Sequence, residues 1–199
     1  MVSIAVLAGG QSTRMGQDKA FLKVGGESVI ERVLAVVRPL SDDCFISTNS
    51  PAKYEQFGLR LVSDIYPNKA ALGGIYTVIQ AARHLGVLVV ACDMPFLQVD
   101  LLNYLMELAP LADVVVPVVN PPQPETLHAI YSKRCLPAIE SRLFANRLRI
   151  TGFFEAVSVR YVERQEIATF DPDFHSFVNM NTPSEWQAVQ ALADKLNAE

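Results

Sequence analysis

Four short apolar runs, each closed by turn residues and separated by segments of helical period, constrain this chain more than any other feature. Val2 to Leu7 ends in Ala8-Gly9-Gly10, and Cys44 to Thr48 stops at Asn49-Ser50-Pro51. Val87 to Cys92 ends at Asp93, and Val114 to Val119 at Asn120-Pro121-Pro122. Runs of this length without polar alternation suit strands covered on both faces. Between them, Glu27 to Leu40 carries Ile30, Val33, Leu34 and Val37 at helical spacing, with Pro39 closing it. Leu72 to Leu85 and Asp100 to Leu108 also read as helices. Strand and helix in alternation predict an α/β fold: a Rossmann-like three-layer sandwich with a mostly parallel central sheet.

The second half is less regular. Leu127 to Tyr131 and Val157 to Val162 read as strands, and Leu136 to Phe144 as a helix. The last helix has a start signal, with Thr182 as N-cap, Pro183 at the first helical position and Glu185 completing a capping box. Its stripe of Trp186, Val189, Leu192, Ala193 and Leu196 predicts docking on the body. No repeat or linker breaks residues 1–199, which read as one domain.

Composition removes several function classes. Of the 199 residues half are hydrophobic and 19% charged, which is ordinary for a globular chain. A net charge of -4 provides no electrostatic footprint for nucleic acid. The apolar runs are too short to span a bilayer and no signal-like segment leads the chain, so the expected compartment is the cytoplasm, with no membrane partner. Cys44, Cys92 and Cys135 show no CxxC spacing, which argues against zinc. His84, His128 and His175 have neither triad nor metal spacing and read as packing or surface residues, and no GxSxG nucleophile motif is present.

In an open parallel sheet, ligands sit beyond the carboxyl ends of the strands. Three such ends carry chemistry here: the loop after Leu7, then Asp64, then Asp93. The loop reads Leu7-Ala8-Gly9-Gly10-Gln11-Ser12-Thr13-Arg14-Met15-Gly16-Gln17-Asp18-Lys19. Its glycines let backbone amides approach phosphate oxygens, and Arg14 and Lys19 supply the cations that a polyphosphate requires. It is neither a Walker A loop nor a GxGxxG fingerprint. Asp93, at the end of a buried run, is costly unless paired, hydrated or metal-bound, and Mg²⁺ characteristically takes one or two carboxylates plus phosphate oxygens. The competing structural roles are a helix cap for Asp93, an Asx turn for Asp64, and capping or turn formation for Asn179 and Asn181.

The segment LAGGxSxRMGxDK closely resembles the signature of the MobA family of molybdenum cofactor guanylyltransferases, within the nucleotide-diphospho-sugar transferase type of fold. Further blocks in the family's order are Asp64, Leu72-Gly73-Gly74-Ile75, Ala91-Cys92-Asp93-Met94-Pro95 and Phe177-Val178-Asn179-Met180-Asn181-Thr182-Pro183. The resemblance assigns Leu7, Ala8 and Gly9 to the base and sugar of a nucleotide, and Gly10 with Lys19 to its phosphates. It puts Asn49 near base and ribose, Asp64 on the guanine edge or its loop, and Asp93 on Mg²⁺. Leu72-Gly73-Gly74 opens a helix whose amides suit an anion or a close approach of the base, which adds Gly73 to the nucleotide site. Lys19, Arg14 and Asp93 become the catalytic set, and Asn179 and Asn181 lie on the acceptor side. One departure stands out, since relatives usually show Gly-Pro where this chain has Ala70-Ala71 after Lys69.

The implied reaction moves GMP from GTP to molybdenum-molybdopterin and releases diphosphate. GTP and molybdopterin are the implied substrates, and other molybdenum-cofactor biosynthesis proteins are implied as partners. The shared phosphate machinery leaves open a cytidylyl- or adenylyltransferase and a non-catalytic nucleotide-binding regulatory module.

Overall fold

The computed structural model describes residues 1–9 and 18–198. Gly10 and Arg14 therefore lie outside the described residues. The strands are β1 (Val2–Leu7), β2 (Lys23–Val24), β3 (Glu27–Ser28), β4 (Cys44–Ser47), β5 (Arg60–Val62), β6 (Gly86–Ala91), β7 (Val114–Val118), β8 (His128–Ser132) and β9 (Val159–Glu163). The α-helices are α1 (Val29–Val37), α2 (Ala70–Ala81), α3 (Val99–Leu108), α4 (Leu136–Phe144), α5 (Arg164–Ile167) and α6 (Pro183–Ala198). Among the described residues, seven strands form one sheet in the order β5-β4-β1-β6-β8-β7-β9, and β2 pairs β3 in a small ribbon.

The sheet is mostly parallel, as the apolar runs imply. β1 runs parallel to β4 and β6, β4 to β5, and β7 to β9. β8 alone is reversed, antiparallel to both β6 and β7. No helix separates β7 from β8, so the chain turns back rather than crossing over. Periodicity does not reveal this reversal, because β8 is buried throughout like its neighbours.

Both faces are covered. Ile4, Val6, Leu88 and Val90 point to one side, packed with Ile30 and Val33 of α1, Leu101 and Leu105 of α3, and Val189 and Ala193 of α6. Ala5, Phe45, Val87 and Val89 point to the other, against Leu72, Ile75 and Ile79 of α2 and Ile139 and Leu143 of α4. This is the period of two expected of strands buried on both sides.

The helices end where their chemistry dictates. The expected Glu27–Leu40 helix is shorter, because Ser28 caps α1 in a reciprocal box with Glu31 while Glu27 and Ser28 pair with the ribbon. Pro39 sits in a single 3-10 turn after α1. α2 ends at Ala81 because Ala82 turns extended on the way into β6. The final capping box forms as read: Glu185 N donates to Thr182 Oγ1 at 3.2 Å, and Thr182 N to Glu185 Oε2 at 2.9 Å. Trp186 Nε1 then donates to the Lys23 carbonyl at 3.2 Å, tying α6 to the ribbon.

Two buried ionisable groups separate acid from neutral stability. Burial opposes the charge on Asp43, but donation from Arg83 N, Ser3 Oγ and the Arg60 guanidinium outweighs it, and the pKa lies below the usual range. His128 is fully buried against Phe177, with neither ring nitrogen hydrogen-bonded among the described residues, and burial pushes its pKa down from 6.5 to about 4. Between those values the unfolded chain binds a proton that the folded chain refuses, so stability is present above the window and lost as pH falls. The loss should reach roughly 3 kcal/mol, while the Asp43 contribution persists until still lower pH. Urea unfolding between pH 7 and 4 should show this decline. His128→Leu should flatten it, and an unchanged slope in that variant would assign it elsewhere.

Candidate active site

The parallel register lines up three strand ends. Leu7 pairs with Ser47 on one side and with Ala91 on the other. The ladder continues one step into the loops: Ala8 N donates to Ser47 O at 2.9 Å and Cys92 N to Leu7 O at 3.1 Å. The residues that leave these strands are thereby held by backbone rather than by side-chain chance. They open onto a cleft of about 640 Å³ whose walls include Leu7, Ala8, Gly9, Lys19, Asn49, Asp64, Gly74 and Asp93.

Asn49 and Asp64 form a reciprocal pair at one end. Asn49 Nδ2 donates to Asp64 Oδ2 at 2.7 Å, and Asp64 N donates to Asn49 Oδ1 at 3.0 Å. The other carboxylate oxygen, Oδ1, faces Gly74, where an added Cβ would stand 3.8 Å away. Asp64 is thus both a fastener between two strand ends and an acceptor turned to the cleft wall.

Lys19 and Asp93 line the same cleft, close enough for the ammonium to act on the carboxylate. Asp18 caps the 3-10 turn Lys19–Phe21, and Lys19 Nζ donates to Asn181 Oδ1 at 2.8 Å. Asn181 Nδ2 in turn donates to Asn179 Oδ1 at 3.0 Å. Asn179 and Asn181 do not line the cleft; they reach it through Lys19. Burial raises the pKa of Asp93, the positive charge of Lys19 opposes that rise, and Glu185 adds to it. No described group of three or more His, Cys, Asp or Glu side chains could hold a metal. Asp93 is a single hard carboxylate in the cleft, and such a donor fits Mg²⁺, which takes one or two carboxylates and completes its shell with water and substrate oxygens.

The chain matches the MobA-like NTP transferase domain over residues 4–156. It belongs to that family. A probable molybdenum cofactor guanylyltransferase of Pelotomaculum thermopropionicum is 37% identical over 189 residues, covering 95% of this chain and 92% of the relative. A molybdenum cofactor guanylyltransferase of Desulfosudis oleivorans is 34% identical over 188 residues, covering 94% and 93%. The crystal structure of molybdopterin-guanine dinucleotide biosynthesis protein A from Archaeoglobus fulgidus superposes with a TM-score of 0.86 at 24% identity, covering 98% of this chain and all of that one. That structure supports the fold.

Within this MobA-like domain the cleft also shows what sequence reading passed over. Gly73, expected in the nucleotide site, is not among the lining residues; its neighbour Gly74 is. A Cβ on Gly73 would lie 2.9 Å from the Tyr66 carbonyl and 2.8 Å from Lys69 Cβ, so this glycine serves close packing behind the wall. Lys69, Ala70 and Ala71 line the cleft, and Lys69 Nζ donates to Asn146 Oδ1 at 3.0 Å. Ala70 has φ 51°, a left-handed conformation that costs a residue with a Cβ about 1–2 kcal/mol. Lys53 and Asp18 also line the cleft, paired at 3.0 Å. The sequence signal for Lys53 was its position just past Asn49-Ser50-Pro51, at the close of the second apolar run.

A second depression, of about 310 Å³, lies beyond β7 and β9 at the same edge of the sheet and is lined by Pro121, Pro122, Arg149, Tyr161 and Glu163 among others. Pro121 and Pro122 come from the turn that closes the fourth apolar run, while Arg149, Tyr161 and Glu163 fall in the less regular half of the chain, where no motif marked them.

The two glycines of α2 should separate in a stability assay. Gly73→Ala forces a methyl against a backbone carbonyl and should cost about 1–3 kcal/mol despite the better helix propensity of alanine. Gly74→Ala meets only ordinary contacts and should leave stability equal or higher. Thermal melts of both variants check this, and equal melting temperatures would refute the packing role.

Proposed function

We propose that the chain transfers GMP from GTP to molybdopterin and releases diphosphate, with Mg²⁺ held at Asp93. The observation that carries the reading is the convergence of Lys19, Asp93 and the Asn49–Asp64 pair on one cleft at the carboxyl ends of β1, β4, β5 and β6. The relatives named as guanylyltransferases, aligned over nearly the full chain, supply guanine and the pterin acceptor.

A terminal phosphate oxygen of the acceptor attacks the α-phosphorus of GTP. The new P–O bond forms as the bond to the β-phosphate bridging oxygen breaks, and that oxygen leaves on diphosphate with its electron pair. The acceptor oxygen is already ionised at neutral pH, so the protein needs no general base. Its work is alignment and charge neutralisation.

Lys19 stabilises charge moving to the leaving group, in company with Arg14. Asn181, hydrogen-bonded to the Lys19 ammonium, holds it in place and links it to the acceptor side. Asp64 offers Oδ1 to a base carrying donor groups on its edge, as guanine does at N1 and N2, while Asn49 fixes the carboxylate through Oδ2. Mg²⁺, when bound at Asp93, supplies Lewis-acid neutralisation of the phosphates. Arg149 gives the second depression a cation suited to an acceptor phosphate.

The activity assay is diphosphate release with GTP, ATP, CTP or UTP, in the presence of molybdopterin and Mg²⁺. GTP with acceptor should give the fastest release. Preference for CTP or ATP would move the chain to another transferase specificity, and nucleotide binding without release would make it a binding module. Lys19→Ala should reduce turnover by about 10²-fold or more in a folded protein; unchanged turnover would remove Lys19 from the mechanism. Asp93→Asn should raise the Mg²⁺ requirement sharply, and full activity at low Mg²⁺ would exclude Asp93 as a metal ligand.

A further inference from the structure

We infer that Lys53 is a second phosphate-binding cation of the cleft, held ready by Asp18 and released to the diphosphate end of the nucleotide. The inference rests on the nucleoside triphosphate reading above and adds a residue that the family signature does not contain.

The placement of Lys53 is built rather than incidental. After β4 the chain makes a 3-10 turn, Pro51–Lys53, fixed by Tyr54 N donating to Pro51 O at 2.8 Å. Tyr54 and Phe57 then pack on Phe21, with ring centroids 5.2 and 6.5 Å from it. Phe21 closes the 3-10 turn that begins at Lys19. Three aromatic rings therefore join the backbones that carry Lys19 and Lys53, and both cations face the same cleft.

Asp18 sits between them. Its Oδ1 accepts from Ala20 N at 3.3 Å, and its Oδ2 accepts from Lys53 Nζ at 3.0 Å. The Lys53 side chain is 53% exposed, so this ion pair adds little to folding stability. It does hold a flexible ammonium at the cleft wall, beside the residue assigned to the leaving group. A triphosphate offers several anionic oxygens against the single carboxylate of Asp18, and the ammonium exchanges to it.

A third group accounts for what Asp18 does after that exchange. Burial, and the Asp18 carboxylate beside it, raise the pKa of the Tyr54 hydroxyl. When Lys53 moves to phosphate, the Tyr54 hydroxyl remains beside Asp18 as a hydrogen-bond donor to its carboxylate.

Calorimetric titrations with inorganic diphosphate, GTP and GMP, each with Mg²⁺, test this. Lys53→Met should weaken diphosphate and GTP by about tenfold or more, as expected for a lost charge-assisted contact, and should leave GMP within about twofold. Lys53→Arg should restore most of the loss. Asp18→Asn keeps the N-cap but frees the ammonium, so diphosphate affinity should be retained or improved; a merely structural ion pair would lose it. Wild-type diphosphate affinity in Lys53→Met, or equal weakening of GMP and GTP, would overturn the role. If the wild-type protein prefers another triphosphate, the guanine reading fails, while the same comparison with that nucleotide and its monophosphate still decides Lys53.

Discussion

The strand-end residues of the cleft hang from one row of the sheet, in which Ser47, Leu7 and Ala91 stand side by side on β4, β1 and β6. Parallel pairing brings three carboxyl ends to one edge, and hydrogen bonds from Ala8 and Cys92 extend the ladder past the strands. A slip of one residue would turn every side chain of a strand to the opposite core. The burial of Ile4 and Val6 on one face and Ala5 on the other fixes that register. The hydrophobic core thus specifies the positions of polar groups that it never touches.

The polar groups divide by distance from that row. Asn49, Asp64 and Asp93 lie within a few residues of a strand end and inherit its position. Lys19, Lys53 and Asn181 do not; they are placed by contacts between segments, the aromatic cluster at Phe21 and the Lys19–Asn181 hydrogen bond that spans 162 residues of sequence. That bond joins the turn that carries Lys19 to the segment leading into α6.

The same division explains what could be read from the sequence. The buried strands, the glycine-rich loop and the capping box at Thr182 are local signals, and each is visible in a few residues. The reversal of β8 was not visible, because a strand covered on both faces carries no direction in its pattern. The exchange of Gly73 for Gly74 as the cleft wall turns on a single step around a helix, finer than a motif resolves. Lys53 resembles any surface lysine until Tyr54 and Phe57 are seen to pack on Phe21. Ala70 shows the converse, since the departure from Gly-Pro was legible while its cost appears only in the left-handed backbone.

By the mechanism proposed above, the cleft moves the nucleotidyl group of a nucleoside triphosphate to a phosphorylated acceptor. GTP labelled at the α-phosphate, incubated with molybdopterin and Mg²⁺, tests it most directly. The account predicts label in the dinucleotide product and an equal yield of unlabelled diphosphate. Label recovered as free GMP, or as GDP alongside orthophosphate, would contradict it.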